Sequence, residues 1–494
     1  MVNQLLPAAA CFLILLSVPL PDFSSTSPAH RNKEIPSGFT DAAAFGFSPD
    51  ATGIENASAL QKAVDQGGTV IVSRPGTYRI AATVYLGSNT TLRFGNAVFL
   101  RKEQEEGPFS HVFVNKGAVS RTWDEHLAIE GLNLIVNGVD VRLFREAYGL
   151  HGQVAFLRVR DVRVTGFRCL DLGPKQYGIQ VCTFEDLTVQ DAVIKGEKDG
   201  VHLGRGRRFV IRDCVFDTFD DAIALNAHDY STGNPELGWI EDGVVENCRD
   251  LSAPKLTGFF CRILAGAWSD WREGMEVQQS DTVVSGGRLY RVQASPDGTL
   301  YKSFTRPSHQ KGTVVLDGIP WGVVQDDVTH SAGVRNVVFR DIFLHKKRRT
   351  FSFHYDNDKY SRSYYPGAEV PVQRNFLFEN IQVLHGDDPK TPVPLFNIAT
   401  PIDSFVISNS KIGNNPIRFV SNKAMKDYGR TSITMIGCTF THQGGMTLLE
   451  NAIPGKMIEL KTFASAVLSN AFSASVVPGE GKVSVVSDLP GLVK

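Results

Sequence analysis

Three aspartates at a regular spacing are the residues of this sequence best suited to chemistry. Asp199 and Asp221 lie 22 residues apart, and Asp220 directly precedes the second of them. If 22 residues form one turn of a stacked repeat, Asp199 lies beneath Asp221 and Lys198 beneath Asp220. Crowded carboxyls raise the pKa of at least one member, which leaves a neutral acid beside an ionised base. Glycoside hydrolysis needs that pair, although a hydrated turn or a calcium site would also explain the cluster.

The element that must position these aspartates is a repeat in which an apolar residue, a polar residue and Asp or Asn precede a small or apolar residue. Its copies are Val189–Ala192, Ile211–Cys214, Val245–Cys248, Phe339–Ile342, Phe378–Ile381 and Ile407–Ser410, with a weaker copy at Met435–Cys438. A period in the twenties with short alternating strands is typical of a β-solenoid. We therefore predict an all-β fold, a right-handed single-stranded parallel β-helix with a small β insertion.

The repeat also predicts structural rather than catalytic roles for several polar and sulfur-containing residues. The Asp and Asn residues at positions 191, 213, 247, 341, 380 and 409 are predicted to form turns rather than a catalytic set. Cys214, Cys248 and Cys438 share one position and are predicted to point into the core, where adjacent turns would permit a disulfide. The stacking of the turns predicts that the carboxyls of Asp199, Asp220 and Asp221 converge on one solvent-open groove. Strict alternation would turn Asp199 inward with Val201, so we also predict a bend between them.

Composition and cysteine spacing narrow the possible partners. Lysine and arginine total 51 against 52 acidic residues, which leaves no basic surface typical of nucleic-acid binding. An apolar share of 42% with 21% charged residues excludes wholesale disorder. No Cys-x-x-Cys pair and no His/Cys cluster with zinc spacing occurs, so we predict neither a structural metal nor a cofactor.

The order of patterns along the chain predicts four segments. Residues 1–27, with the apolar run Leu5–Leu20, are interpreted as a signal peptide, so the protein is expected to be secreted, periplasmic or on the cell surface; an uncleaved N-terminal anchor is the alternative. Residues 36–266 are assigned to the β-helix, opened by a short capping helix near Asn56–Gln66. Residues 267–328 interrupt the repeat, and residues 329–494 continue the β-helix into a C-terminal tail.

The aspartate region resembles a known signature. Asp199-Gly200 followed by Asp220–Asn226 resembles the pattern of family 28 glycoside hydrolases, the polygalacturonases, and residues 43–77 are similar to pectin-degrading β-helices of the pectin lyase-like fold. The resemblance implies hydrolysis with inversion, with Asp220 as general acid and with Asp199 and Asp221 holding and activating water. The sequence departs from that pattern where Glu197-Lys198 replaces Asn-Thr and where Leu264 replaces a lysine.

Further residues are assigned to a substrate-binding groove by the repeat and by the resemblance. Phe339–Phe353 matches Val189–Leu203 at an offset of 150, which places two arginines in the columns of Lys198 and Asp199. Guanidinium groups there would suit a sugar carboxylate or sulfate, unless they form salt bridges within the groove. The predicted substrate-binding residues are His202, Asn226, His228, Arg262, Arg348 and Arg349.

The insertion is rich in aromatic residues, namely Trp268, Trp271, Tyr290, Tyr301, Phe304 and Trp321. It resembles small carbohydrate-binding modules of the chitin-binding type, but a domain of this size also needs aromatics for its own core, so a structural flap beside the groove is the favoured interpretation. The sequence as a whole predicts an exported glycoside hydrolase acting on a polysaccharide or oligosaccharide, acidic or pectin-like. The alternatives are a polysaccharide lyase on the same fold and a non-catalytic, glycan-binding solenoid.

Overall fold

The computed structural model describes residues 38–106, 109–142, 148–230, 233–251, 257–293, 298–357, 361–386, 392–422 and 428–493. The predicted signal peptide lies outside these residues. No helix within these ranges is long and apolar enough to cross a membrane.

Three parallel sheets run the length of the molecule, and each turn of the chain adds one strand to each sheet. The first sheet contains Gly68–Val72, Thr90–Phe94, Asp124–Glu130, Gly206–Arg212, Ser404–Ser408, Arg430–Ile436, Met457–Phe463 and Lys482–Ser487, preceded by Phe39–Asp41. The second contains Gly76–Ile80, Val98–Lys102, Asn133–Ile135, Arg168–Leu172, Val193–Gly196, Val215–Thr218, Lys411–Ile412, Thr439–Phe440 and Ala466–Val467.

The third sheet carries the candidate site. It contains Val84–Leu86, Phe113–Asn115, Val201–Leu203, Ile223–Asn226, Cys261–Leu264, Phe351–His354, Phe396–Ile398, Ile417–Phe419, Gly445–Asn451, Ser473–Val477 and Leu492–Val493. Long strands that pass from one sheet to the next are Gly152–Thr165, Tyr177–Gln190, Ile240–Asp250, Val334–Leu344 and Arg374–Val383.

The registers agree with the repeat read from the sequence. Val189 pairs with Ile211, Ile211 with Val245 and Val245 with Phe339, and all of these side chains are buried. Each turn therefore adds one apolar residue to a continuous interior column, and burial of each such side chain contributes about 1.5–3 kcal/mol. The molecule is a right-handed parallel β-helix, as predicted.

The corner between the first and second sheets explains the Asp and Asn column. Positions 191, 213, 247, 341, 380 and 409 all have a positive φ of 48–58°. Asp and Asn enter this left-handed conformation more readily than other residues with a side chain, because their short polar groups bond locally. Ladder contacts join neighbouring turns, as where Asn247 Nδ2 donates to Asp213 Oδ1 at 2.8 Å. The prediction of a turn-forming column is confirmed.

The cysteines behave as small core residues. Cys214, Cys248 and Cys438 are fully buried, and the six cysteines within the described residues are not joined by disulfides. Their thiols donate to nearby backbone carbonyls, as Cys214 does to Arg212 O at 3.1 Å. The predicted inward orientation is confirmed, and the disulfide that adjacent turns would permit is not formed.

A helix at the start of the solenoid occupies the predicted place with slightly different bounds. It spans Gly53–Val64 and is capped by Thr52, whose hydroxyl and backbone form a reciprocal capping box with Glu55. Its apolar side packs against the first strands and buries Leu60 and Val64. The other helices within the described residues are the 3₁₀ helix Ala42–Phe45 and the short helices Lys116–Ser120 and Val139–Arg142.

A separate group of strands lies between residues 266 and 332. A five-stranded sheet contains Ser269–Asp270, Thr282–Ser285, Arg288–Val292, Thr313–Leu316 and Ile319–Gln325, and two small pairs join Met275–Val277 to Tyr301–Ser303 and Gly266–Ala267 to Ser331–Ala332. Trp268, Tyr290 and Trp321 are buried in it, whereas Phe304 is exposed. Most of the aromatic residues singled out in the sequence thus build the core of this segment.

Candidate active site

The aspartates lie where the chain passes from the second sheet to the third. Beyond this corner Val201 pairs with Ile223, which keeps the offset of 22 residues through the turn. The two turns therefore stack, and the amide of Asp221 donates to Oδ1 of Asp199 at 3.4 Å. The repeat spacing alone brings these two carboxylates to one place.

Gly200 lets the Asp199 side chain leave the core while Val201 enters it. The chain bends at Gly200, which confirms the bend predicted between Asp199 and Val201. A Cβ at Gly200 would lie 2.6 Å from the carbonyl oxygen of Ala222 and 2.7 Å from the ring of Phe216. Those distances are too short for any side chain, so this corner requires glycine.

The three carboxyl groups form a compact cluster. One oxygen from each of Asp199, Asp220 and Asp221 lies within 4.8 Å of the other two. Asp220 is part-exposed, with 34% of its side-chain surface accessible. Asp199 and Asp221 are only 3% and 2% exposed, so the expectation of three carboxyls on a solvent-open surface is wrong for two of them. They form a buried floor beneath Asp220.

Asp199 is held in its ionised form. Burial alone would raise the pKa of its carboxyl, but a hydrogen bond from His202 Nδ1, 2.9 Å from Oδ2, and the charge of Lys198 outweigh burial and lower it below the usual value. A carboxylate that stays ionised beside other carboxyls suits the role of general base.

Asp220 and Asp221 are shifted in the opposite direction. Burial, and then the charge of Asp199, raise the pKa of Asp220, although its ion pair with Lys198 opposes the rise. Burial raises the pKa of Asp221 well above the usual range, and Asp199 and Asp220 raise it further. Oδ1 of Asp221 accepts a hydrogen bond from the amide of Phe259 at 2.9 Å. The cluster therefore retains a proton next to an ionised carboxylate.

His202 and Asn226 lie beneath this cluster and do not face a groove. His202 is fully buried and stacks on Tyr177, with ring centroids 4.2 Å apart. Asn226 is also fully buried, and its Nδ2 donates to Asp229 Oδ2 at 2.7 Å. Neither side chain is accessible to solvent, because Tyr177 covers one and the protein interior surrounds the other. Their assignment as substrate-binding residues stays a prediction that this burial does not support. His202 instead orients Asp199.

His228 is the third predicted contact that the structure buries. Its Nε2 lies 3.3 Å from the hydroxyl of Thr282, and its ring packs near Trp268, both from the inserted segment. Burial, and then the charge of Arg291, lower its pKa to about 3, so it stays neutral. The insertion covers this residue, which the sequence pattern alone did not indicate.

Arg348 and Arg349 are adjacent but have different surroundings. Arg348 is buried and forms a two-point ion pair with Asp250, at 2.9 and 2.8 Å. Its third nitrogen donates to the backbone carbonyl of Asp220 at 2.6 Å. Carboxylate and carbonyl acceptors already occupy the Arg348 guanidinium, so its contacts do not support the predicted role in substrate binding. Arg349 is exposed, and no ion pair involving it occurs within the described residues.

Arg262 keeps part of its side chain accessible to solvent. Its guanidinium donates to Asp356 Oδ1 at 2.7 Å and approaches His354 Nε2 at 3.3 Å. The side chain is 19% exposed, so a ligand can reach it only at the edge of this pair. Of the six predicted substrate-binding residues, Arg262 and Arg349 remain placed for contact with a ligand.

Tyr177, Tyr230 and His151 form an aromatic wall beside the cluster that was not among the predicted site residues. Tyr177 lies one turn below Asp199, and its hydroxyl is 3.2 Å from that of Tyr230. His151 packs against both rings, with centroid distances of 5.7 and 6.4 Å. Tyr177 precedes Asp199 by 22 residues, so the repeat period itself was a signal that would have found it.

Three clustered carboxylates raise the question of a bound cation. Each of them already has a protein donor, namely Lys198 for Asp220, the His202 ring for Asp199 and a backbone amide for Asp221. The ammonium of Lys198 supplies positive charge where a metal ion would supply it. These contacts, with one carboxylate favoured in its ionised form, are compatible with acid–base chemistry at these residues.

Fold and site together define a parallel β-helix with a cluster of three carboxyl groups at one corner of its stacked turns. No protein-family model and no curated protein matches this chain. Among solved structures it is similar to the A-module of a mannuronan C-5 epimerase from Azotobacter vinelandii, with 11% identity, a TM-score of 0.48 and coverage of 92% of this chain and 99% of that one.

Two hydrolases show similar likenesses. A family 28 exopolygalacturonase from Yersinia enterocolitica is 11% identical, with a TM-score of 0.43 and coverage of 90% of this chain and 78% of that one. An endo-xylogalacturonan hydrolase from Aspergillus tubingensis is 10% identical, with a TM-score of 0.41 and coverage of 91% and 99%. At these scores no activity is carried over, and the function is inferred from the site alone.

Proposed function

We propose that this protein is a glycoside hydrolase that cleaves a polysaccharide or oligosaccharide with an aspartate cluster. The observation that carries the proposal is the cluster itself, in which one oxygen from each of three carboxyls lies within 4.8 Å of the other two. The surroundings of these groups lower the pKa of Asp199 and raise the pKa values of Asp220 and Asp221. Hydrolysis of a glycosidic bond needs one carboxyl that protonates the leaving oxygen. It also needs one carboxylate that activates a water molecule or attacks the sugar from the opposite face.

Accessibility assigns the roles. Asp220 is the only part-exposed member of the cluster, so it is the carboxyl that can meet a glycosidic oxygen and donate a proton. Asp199 takes the proton of a water molecule as general base, held in position by His202. Asp221 is buried beside both, and its raised pKa favours a neutral carboxyl next to the ionised Asp199.

The proposed stereochemical course is inversion. A retaining enzyme needs a carboxylate that attacks the sugar itself, and Asp199 and Asp221 are almost fully buried, which favours water as the nucleophile. The carboxyl oxygens are nevertheless closer than the roughly 6.5–9.5 Å usual for inverting enzymes. Proton NMR of the first anomer formed tests this step. Inversion is expected, and retention would assign the attack to a carboxylate.

The proposed substrate is acidic or pectin-like. Two cations with accessible side-chain surface, Lys198 and Arg262, flank the cluster, and the exposed Arg349 follows in the same column of turns. Carboxylate or sulfate groups of a glycan would pair with such cations. Beside these charges, the Tyr177 and Tyr230 wall bounds the site.

A panel of neutral, carboxylated and sulfated glycans tests the proposed reaction. Release of reducing ends from a carboxylated or sulfated member, without formation of an unsaturated product that absorbs in the ultraviolet, is expected for the hydrolase. An unsaturated product would show a lyase instead. Binding without any cleavage across the panel would show a non-catalytic solenoid.

A further inference from the structure

Lys198 and Asp220 form an ion pair at the mouth of the cluster. Both side chains are part-exposed, at 26% and 34%, so the pair lies at the boundary between protein and solvent. The ammonium also lies 5.8 Å from the centre of the Tyr177 ring, which bounds its position on one side.

This pair conflicts with the role proposed for Asp220. A general acid must hold a proton before it can donate one, whereas an adjacent ammonium favours the ionised carboxylate. The other charged groups that act on Asp220 are Asp199, which favours the protonated form, and Arg262, which opposes it. Removal of the ammonium would therefore leave burial and Asp199 to favour the protonated acid.

We propose that Lys198 couples recognition of an anionic sugar to protonation of the acid: the carboxylate or sulfate of the glycan takes the ammonium of Lys198 from Asp220, and the released Asp220 carboxyl takes up one proton from solvent. The negative charge lost at Asp220 is replaced by that of the ligand, so the charge around Lys198 is unchanged. This inference rests on the proposed function, because it supplies the proton that Asp220 later donates.

Lys198 is better placed for this exchange than the neighbouring arginines. Arg348 is buried against Asp250, and Arg262 is held by Asp356. Lys198 has a single flexible stem and three donors, so its ammonium can move from one acceptor to another. The other groups whose charges act on Lys198 are Asp199 and Tyr230.

Calorimetric titration with monosaccharides tests the coupling without requiring turnover. Galacturonate, galactose 6-sulfate and neutral galactose are each titrated at neutral pH in two buffers that differ in ionisation enthalpy, and the difference gives the number of protons taken up. We expect uptake approaching one proton per anionic sugar bound and none for galactose. The two anions distinguish a carboxylate from a sulfate ligand.

Two variants separate the partners, and a third is the matched control. Lys198→Met should abolish proton uptake and weaken binding of the anion roughly tenfold. Asp220→Asn should also abolish uptake but keep or strengthen binding, because no carboxylate competes for the ammonium. Lys195→Met removes a pair with Asp217 at the same 22-residue offset, outside the cluster, and should leave both quantities unchanged.

Several results would overturn the coupling. They are anion binding by the wild-type protein without proton uptake, uptake that persists in Lys198→Met, and failure of both anions to bind at millimolar concentration. The wild-type comparison of anionic with neutral sugar stands even if a variant fails to fold. If Asp220→Asn abolishes glycan cleavage but no uptake is seen, the proposed hydrolase survives and the coupling does not.

Discussion

Two pairs of aspartates in this molecule share one spacing and differ in their exposure to solvent. Asp191 and Asp213 lie 22 residues apart at the corner between the first and second sheets, and Asp199 and Asp221 lie 22 residues apart at the next corner. The first pair is 55% and 40% exposed, whereas Asp199 and Asp221 are almost completely buried.

The two pairs share their spacing and differ in burial, so the proposed chemistry depends on burial rather than on spacing. Asp191 and Asp213 adopt a positive φ and bond to neighbouring turns, as in the ion pair of Asp191 with Arg168 at 2.8 Å. Water solvates their charges, so their proximity has little consequence. At the other corner, burial and then the charge of Asp199 raise the pKa values of Asp220 and Asp221.

The largest effect is expected when the same change is made in each column. Asp199→Asn should lower turnover by about 10³-fold, because it removes the carboxylate proposed as the general base. Asp191→Asn should leave turnover unchanged, since Asn also accepts the left-handed corner conformation. Steady-state rates on the best glycan of the panel measure both. Equal losses in the two variants would show that the columns do not differ in function.

A second large effect is expected in stability. Arg348→Met leaves the buried Asp250 without its partner and should lower the free energy of unfolding by about 3–5 kcal/mol. Arg349→Met removes an exposed cation and should change it by less than about 0.5 kcal/mol. Urea denaturation of the two variants gives the comparison. An unchanged midpoint for Arg348→Met would contradict the structural role given to this ion pair.

A smaller effect is expected in substrate affinity. Arg349→Ala should raise KM for an acidic oligosaccharide several-fold, as expected for one exposed charge contact, while KM for a neutral one stays unchanged. Thermal unfolding of the variant should match that of the wild-type protein. A preference of the wild-type enzyme for a neutral glycan, together with a silent Arg349 change, would remove the acidic substrate from the proposal.

The smallest effect concerns the turn-forming column. Asp213→Ala should destabilise the protein by roughly 1–2 kcal/mol, because alanine lacks the local hydrogen bonds that support a φ of 58°. Asp213→Asn should be nearly neutral. Denaturant midpoints decide between them, and a fully tolerated alanine would show that this corner does not select its residue by backbone conformation.

The repeat made most of the fold predictable. Val189, Ile211 and Val245 occupy one position of the pattern and one column of the first sheet, because stacking fixes the register once the period is known. Gly200 and the aspartates around it followed from the same period. Two of the predicted substrate-binding residues, His228 and Arg348, are buried where side chains from outside the local turn pack against them.

These packing contacts have particular physical causes. The hydroxyl of Thr282 and the ring of Trp268 from the insertion cover His228, and no repeat position predicts how an insertion packs. Arg348 turns inward because Asp250, 98 residues earlier in the chain, offers a buried carboxylate. Long-range partners of this kind leave no local periodicity, so neither the repeat nor the resemblance could predict the surroundings of these two side chains.

Asp220→Asn compared with Asp213→Asn is the most direct test that the buried corner performs glycoside hydrolysis. Both substitutions remove one carboxylate charge from adjacent corners of the same turn, and circular dichroism confirms that each variant is folded. We expect Asp220→Asn to lower the rate of reducing-end release by at least about 10²-fold, as for a lost general acid, and Asp213→Asn to retain the wild-type rate. A folded Asp220→Asn variant that cleaves the substrate at the wild-type rate would contradict the account.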